Sequence, residues 1–294
     1  MDVEITKKNG ETFRLSEYDI QAQDFNVSSI ELMPTYGSIE GRSGAVDYGA
    51  DYGSRTISVP FYLRAYDMHD YPLLRDELFS LVTTKESFYI RKLRRPSEFT
   101  SCYDEYDDVY VGGKRYLVRL SNVIDLDQRR TYGFGEMTFE TTELPFAESI
   151  GTSADIDRGG INSDDELWGF GMGLIADDDS LIYTHTGTEF RIFNPGVEVH
   201  PFEHDLVIEI SNVNGSTKYI QLENITTGDA FRVNGAVSNN QLIKLDGPNI
   251  TSNNLQYLRK TNRKYITLAP GWNNFRITGA TSAKVSFDTR FYYL

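Results

Sequence analysis

The sequence predicts a mainly β protein of two domains. Residues 1–148 form a β-rich domain with one helix, and residues 149–294 form an antiparallel β-sandwich or jelly roll. Three observations carry this. Short runs with apolar residues at every second position recur along the chain, the period of strands with one buried face. The chain holds 19 Tyr and 17 Phe, residues that favour sheets. One stretch alone has a convincing helical apolar face, Leu74, Leu78, Leu81 and Val82. The last strand, about 284–294, is a candidate to pack back on the first domain.

Length and composition narrow the classes. The 294 residues are 39% hydrophobic, enough for a core and against whole-chain disorder. The formal net charge of −14 argues against binding nucleic acid by phosphate neutralisation. Cys102 is the single cysteine, so no internal disulfide framework and no multi-cysteine metal site is expected. No apolar run reaches membrane-spanning length, and the first residues show no apolar signal core.

Taken in order, residues 3–15 predict a hairpin. Val3 and Ile5 precede Lys8-Asn9-Gly10, a tight-turn signal, and Phe13 and Leu15 follow. Gly37, Gly41, Gly44, Gly49 and Gly53 punctuate a long polar connection. It is either an extended arm reaching a neighbouring subunit or a plain surface loop, and the residues alone favour the loop. Ile57, Val59, Phe61 and Leu63 alternate as a strand. Pro60 on the opposite phase predicts an edge position or a bulge, because proline cannot donate to a ladder. Asp70 is placed to cap the helix and Pro72 falls in its first turn. A strand resumes at Phe88–Ile90. The acidic stretch at 98–108 predicts a solvated face. Gly112-Gly113 is expected to turn one strand into another, and 123–126 and 134–142 predict further strands.

Residues 143–180 mix Gly, Ser and Asp with little periodicity and predict the domain boundary. Beyond them, strands are predicted at 181–186, 189–199, 206–213, 218–235, 241–247, 264–279 and 283–294. Each is bounded by Gly, Asn, Asp or Pro, the spacing of a sandwich.

Catalytic signatures are sparse. His200 and His204 are four apart, but Pro201 and the β context place them in a turn, without a zincin signature. Asp177-Asp178-Asp179 lacks the spacing of a calcium loop. No nucleophile elbow occurs, and Cys102 sits among carboxylates that disfavour a thiolate. No catalytic, cofactor or metal residue is assigned, and no cofactor is expected. Trp168 and Trp272 are candidates for stacking on sugars or for filling the core.

Several stretches together resemble the distal tail proteins of long-tailed siphophages. They are the glycine-rich arm followed by RTISVPFYLRAYD, the helix DYPLLRDELFSLV leading into ESFYIRK, then KRYLVRLSN and GEMTFETTELPFAES. In the second half, FNPGVEV and APGWNNFRITG resemble the family's galectin-like or carbohydrate-module-like domain. The resemblance implies a virion structural protein and not an enzyme. Its first domain would form a homo-hexameric ring at the distal end of the tail tube. Tail-tube, tape-measure and tail-associated tip proteins would be its neighbours, with receptor-binding proteins in some phages. DNA would pass through the channel without specific binding. Under this reading the ring contacts fall on Gly37, Gly41, Gly44, Gly49, Gly53, Ile57 and Val59. The competing classes are a carbohydrate-binding module that docks on a host wall and a wall-degrading glycoside hydrolase.

Overall fold

Val3 and Ile5 alternate with Glu4, and Phe13 answers Ile5 across a turn. In the computed structural model this is strand β1 (Asp2–Lys7) paired antiparallel with β2 (Thr12–Arg14), Ile5 facing Phe13. Gly10 takes a left-handed φ of 88° in the turn, which a Cβ would resist. The structure describes residues 1–93, 112–161, 166–169, 171–175, 178 and 180–294. The acidic stretch with Cys102, Asp177, Asp179 and the strand expected before Gly112 lie outside the described residues. The chain divides into two compact units, Met1–Ala147 with Leu294 and Glu148–Tyr293.

The first unit continues through β3 (Ile20–Ala22), β4 (Asn26–Val27), β5 (Leu32–Ser38), β6 (Ala45–Tyr52) and β7 (Thr56–Arg64). After helix α1 (Tyr71–Val82) come β8 (Phe88–Leu93), β9 (Lys114–Leu120), β10 (Asp127–Arg129) and β11 (Tyr132–Thr141). The main sheet runs in the order β2-β1-β8-β9-β11-β7-β3, with β10 beside β11 and β4 beside β7. Residues 123–126, expected as a strand, form a loop instead, and Val123 is 91% exposed. The neighbouring Asn122 closes that loop by donating to the Glu136 carbonyl and accepting the Thr138 amide.

β7 is an inner strand, not an edge. It pairs with β11 from Thr56 to Arg64 on one side and with β3 and β4 on the other. Pro60 is tolerated because β3 and β4 break opposite it. Its carbonyl accepts the Gln23 amide at 2.8 Å in that gap. In a strand the N–H and C=O of one residue point the same way, so the missing donor faces the break.

Helix α1 lays Tyr71, Leu74, Leu78, Leu81 and Val82 on the core, Leu78 fully buried. Asp70 stands at the N-cap as expected, but its side chain makes no cap bond. Asp67 accepts the amides of His69 (2.7 Å) and Asp70 (2.9 Å), and these bonds hold its carboxyl below the usual range. The Asp70 carboxylate turns back to the Tyr66 amide. A Cβ on Gly133 of β11 would meet the Tyr71 hydroxyl at 2.5 Å, so glycine there admits the helix. On the far side of β1, Glu4 stands in a row with Arg14 and Arg91. Arg91 holds it bidentately at 2.5 and 2.9 Å, buried on both sides.

The second unit opens with β12 (Ala147–Ser149) and a second helix, α2 (Ser153–Gly159), inside the segment expected to be linker. The Thr152 amide donates to the Asp155 carboxylate at 2.8 Å, the half of a capping box that starts a helix. Ser153 then stitches α2 to the carbonyl of Phe287 and the amide of Thr289.

The sandwich follows as β13 (Thr184–Gly187), β14 (Glu189–Asn194), β15 (Leu206–Asn214), β16 (Tyr219–Asn224), β17 (Asp229–Asn234), β18 (Ile243–Asp246), β19 (Asn249–Ser252), β20 (Leu255–Gln256), β21 (Gly271–Thr278) and β22 (Ser282–Thr289), and the last strand, β23 (Tyr292–Tyr293), pairs with β12 instead. Six strands form one sheet, β13-β22-β15-β18-β19-β20, and four form the other, β14-β21-β16-β17. Phe275 of one sheet meets Phe287 of the other at 4.9 Å. β22 is paired within this unit, and Leu294 is grouped with the first. Residues 264–270 are extended but are not a ladder strand. Buried Asn224 and Asn273 bind the carbonyls of Thr267 and Ala269 instead. No helix of the described residues is long and apolar enough to cross a membrane.

Candidate subunit-contact surface

The glycine-rich connection is neither a loop nor part of the main sheet. Among the described residues β5 and β6 pair only with each other, Leu32 facing Tyr52 and Ser38 facing Ala45. Glycines shape the ribbon at defined points. The register shifts between Pro34 and Tyr36, and opposite the shift Gly49 takes φ 97°, the left-handed turn of a bulge. A Cβ on Gly37 would meet the Tyr48 ring at 2.4 Å, so the ring lies across that glycine. Gly41 and Gly44, both at positive φ, close the tip. At the base Gly53 donates to the Glu31 carbonyl at 2.8 Å, and Tyr52 meets Phe146 edge-on at 5.6 Å.

Both faces of the ribbon are open. Leu32, Met33, Tyr36, Ile39, Tyr48 and Tyr52 are each about half exposed or more, Tyr48 at 68%. An isolated two-stranded ribbon is marginal in water, and a contiguous exposed apolar patch marks an interaction surface.

The other predicted residues fare differently. Ile57 and Val59 are fully buried; the alternation that makes β7 a strand turns both toward the core, so neither can touch a neighbour. Trp168 is also core, 3% exposed, with its ring against Gly151 and Phe291. Trp272 is half-buried, one face covered by the Arg191 guanidinium at 4.1 Å and Phe193 packed beside it. Trp168 therefore offers no free stacking face, and Trp272 has one face taken by Arg191. His200 and His204 share a turn in which the His200 amide donates to His204 Nδ1 at 3.0 Å. Burial pushes the His204 pKa down. Among the described residues no group of three or more His, Cys, Asp or Glu could hold a metal ion. Sequence reasoning did not single out Tyr36 and Tyr48, the most exposed rings of the ribbon. Their signal was present, aromatic residues between glycines in a segment without period.

A sheet built around one helix, with a free ribbon, defines the class of the first unit. Residues 8–141 match the phage tail protein RIFT-related domain. Over its whole length the chain has the fold of the SPP1 Dit (gp 19.1) protein, described as a hub adsorption apparatus in phages infecting Gram-positive bacteria. The TM-score is 0.61 at 14% identity, covering 98% of this chain and 99% of that one. The phage p2 baseplate in its activated conformation with Sr is also similar, at TM-score 0.38 and 10% identity over 98% of this chain and 97% of that one. No curated protein sequence matches the chain.

Proposed function

We propose that the protein is the distal tail hub of a long-tailed phage, a structural virion component joining the tail tube to the tip. The first unit forms a six-membered ring, and the β5–β6 ribbon supplies its subunit contacts. The second unit is peripheral and does no catalysis. The observation that carries this is the exposed apolar ribbon within the tail-protein domain. A ribbon meeting a different surface on its neighbour makes a head-to-tail contact, and such contacts close into rings when the rotation allows. Tail-tube, tape-measure and tip proteins are the expected neighbours above and below. The acidic balance, −14 overall, suits a channel that must not hold DNA.

The test is native mass of the purified chain beside a variant in which residues 34–50 are replaced by an Asn-Gly turn. The wild type is expected at the mass of six 33.5 kDa chains and the variant as a folded monomer. A monomeric wild type at high concentration, or a variant that still forms rings, overturns the reading. Release of soluble sugar or peptide from purified cell walls would overturn its non-catalytic part.

A further inference from the structure

The outward side chains at the far end of β7 are aromatic and cationic. Phe61 and Leu63 turn inward, so Tyr62 and Arg64 turn out. Tyr62 lies opposite Phe134 of β11 and Arg64 opposite Tyr132, and β10 adds Arg129 on the other side of Tyr132. The Tyr132 and Phe134 rings stack at 6.4 Å, with Tyr62 beside them at 6.2 and 6.1 Å. Arg64 lies over Tyr132 at 5.8 Å and Arg129 over Phe134 at 5.4 Å, contacts that hold both guanidinium groups against the rings. Tyr66 continues the outward phase and is 94% exposed. The chain around it is fixed. Its amide donates to the Asp70 carboxylate at 3.1 Å, and the Ala65 amide donates to the Thr131 carbonyl at 2.9 Å.

This face and the β5–β6 ribbon are complementary. The ribbon segment, residues 31–52, holds Glu31, Glu40, Asp47 and Asp51 against Arg42, around the exposed rings of Tyr36 and Tyr48. The face holds Arg64, Arg129 and Arg130 against Asp127, which binds Arg129 at 2.7 Å. The Asp67 and Asp70 carboxylates near Tyr66 are occupied by backbone amides, and the Glu136 carboxylate accepts the Ser58 hydroxyl. Position fits as well. The ribbon closes at Gly53, just before β7 starts at Thr56. At about 3.3 Å per residue the strand from Thr56 to Tyr62 spans about 20 Å, so the two surfaces stand at opposite ends of one strand. Copies can then repeat in one direction, as a head-to-tail contact requires.

We propose that the arginine–tyrosine face of one copy receives the β5–β6 ribbon of the next. The inference rests on the ring reading and names the surface that the ribbon meets. Tyrosine and arginine dominate interface energetics, and complementary charge fixes which surfaces meet. The ribbon carboxylates that the arginines attract also keep two ribbons from pairing with each other. A nucleic acid single strand favours arginines and aromatic rings too, but the net charge of −14 opposes it.

Native mass of two full-length variants tests the pairing. One has residues 34–50 replaced by an Asn-Gly turn and keeps the face. The other keeps the ribbon and carries Arg64→Glu with Arg129→Glu. Each alone is expected as a monomer. Mixed at high concentration, they are expected to form a species of two chains and nothing larger, because one intact ribbon meets one intact face. In the otherwise wild-type chain, a benzophenone photo-crosslinker at position 48 is expected to join two chains, with the adduct on a peptide carrying Tyr62, Tyr66 or Tyr132. With a wild-type ring and a monomeric ribbonless variant, three results overturn this inference alone: a ring that persists in Arg64→Glu with Arg129→Glu, a mixture that stays monomeric, or a crosslink to another surface. Loss of single-stranded oligonucleotide binding in that arginine variant, with its ring intact, would assign the face to nucleic acid. A monomeric wild type, or rings formed without the ribbon, overturns the ring reading as well.

Discussion

The hairpins β1–β2 and β5–β6 share antiparallel pairing and a glycine turn, yet one is buried and the other is bare. In the first, Val3, Ile5 and Phe13 alternate with polar residues and all three are at most 4% exposed. In the second, Leu32, Met33, Tyr36 and Ile39 follow no period of two, so apolar groups emerge on both faces. A sheet buries one face on its own core only if the sequence keeps its phase. The difference separates apolar surface spent on folding from apolar surface left open, the surface to which the subunit contacts are assigned in the proposal above.

Substitutions can sharpen that contrast. The largest effect belongs to the ribbon in assembly, where Tyr36→Ser with Tyr48→Ser is expected to abolish the ring in sedimentation analysis. Next, Glu4→Ala leaves Arg91 buried without its bidentate partner and should cost about 3–5 kcal/mol in denaturant titration. Leu78→Ala should cost about 2–4 kcal/mol, as truncation of a buried leucine does; a loss below about 1 kcal/mol would mean that α1 is not packed as described. By contrast Tyr36→Ser alone should change monomer stability by less than about 0.5 kcal/mol. A larger loss would break the comparison, since it would place Tyr36 in the fold's own energetics.

The smallest effect is a pH dependence in the second unit. Burial holds the His204 pKa below its usual value, so the folded state favours the neutral ring. Stability is then full above the free histidine value of about 6.5 and is lost as pH falls below it. Thermal melts of the wild type should drop between about pH 7.5 and about pH 5.5 more than those of His204→Gln. Equal slopes would show that His204 does not report on folding.

Much of the fold was legible because it obeys period. β1, β2, β7, β15 and the stripe on α1 all sit where alternation or helical spacing puts them. What escaped rests on side-chain bonds to backbone. Thr152 and Asp155 start α2 by a spacing that is readable in the sequence but easily lost among glycines. Asn253 and Asn254, with φ of 47° and 65°, turn β19 into β20 without the glycine that usually marks such hairpins. Pro60 pointed correctly to a missing donor but could not say that β3 and β4 would break opposite it. The glycines located the ribbon. Ile57 and Val59 were a misreading, since alternation names two faces without saying which one is inside.

The ribbon also carries Glu31, Glu40, Asp47 and Asp51 against the single cation Arg42. Bare strands are templates for unwanted pairing, and charge on them is the common protection. For the ring proposed above, a newly made subunit would have to stay dissolved, with its tyrosines uncovered, until enough copies accumulate to meet. The four carboxylates would lengthen that waiting time and make the moment of assembly depend on concentration and salt rather than on the moment of synthesis.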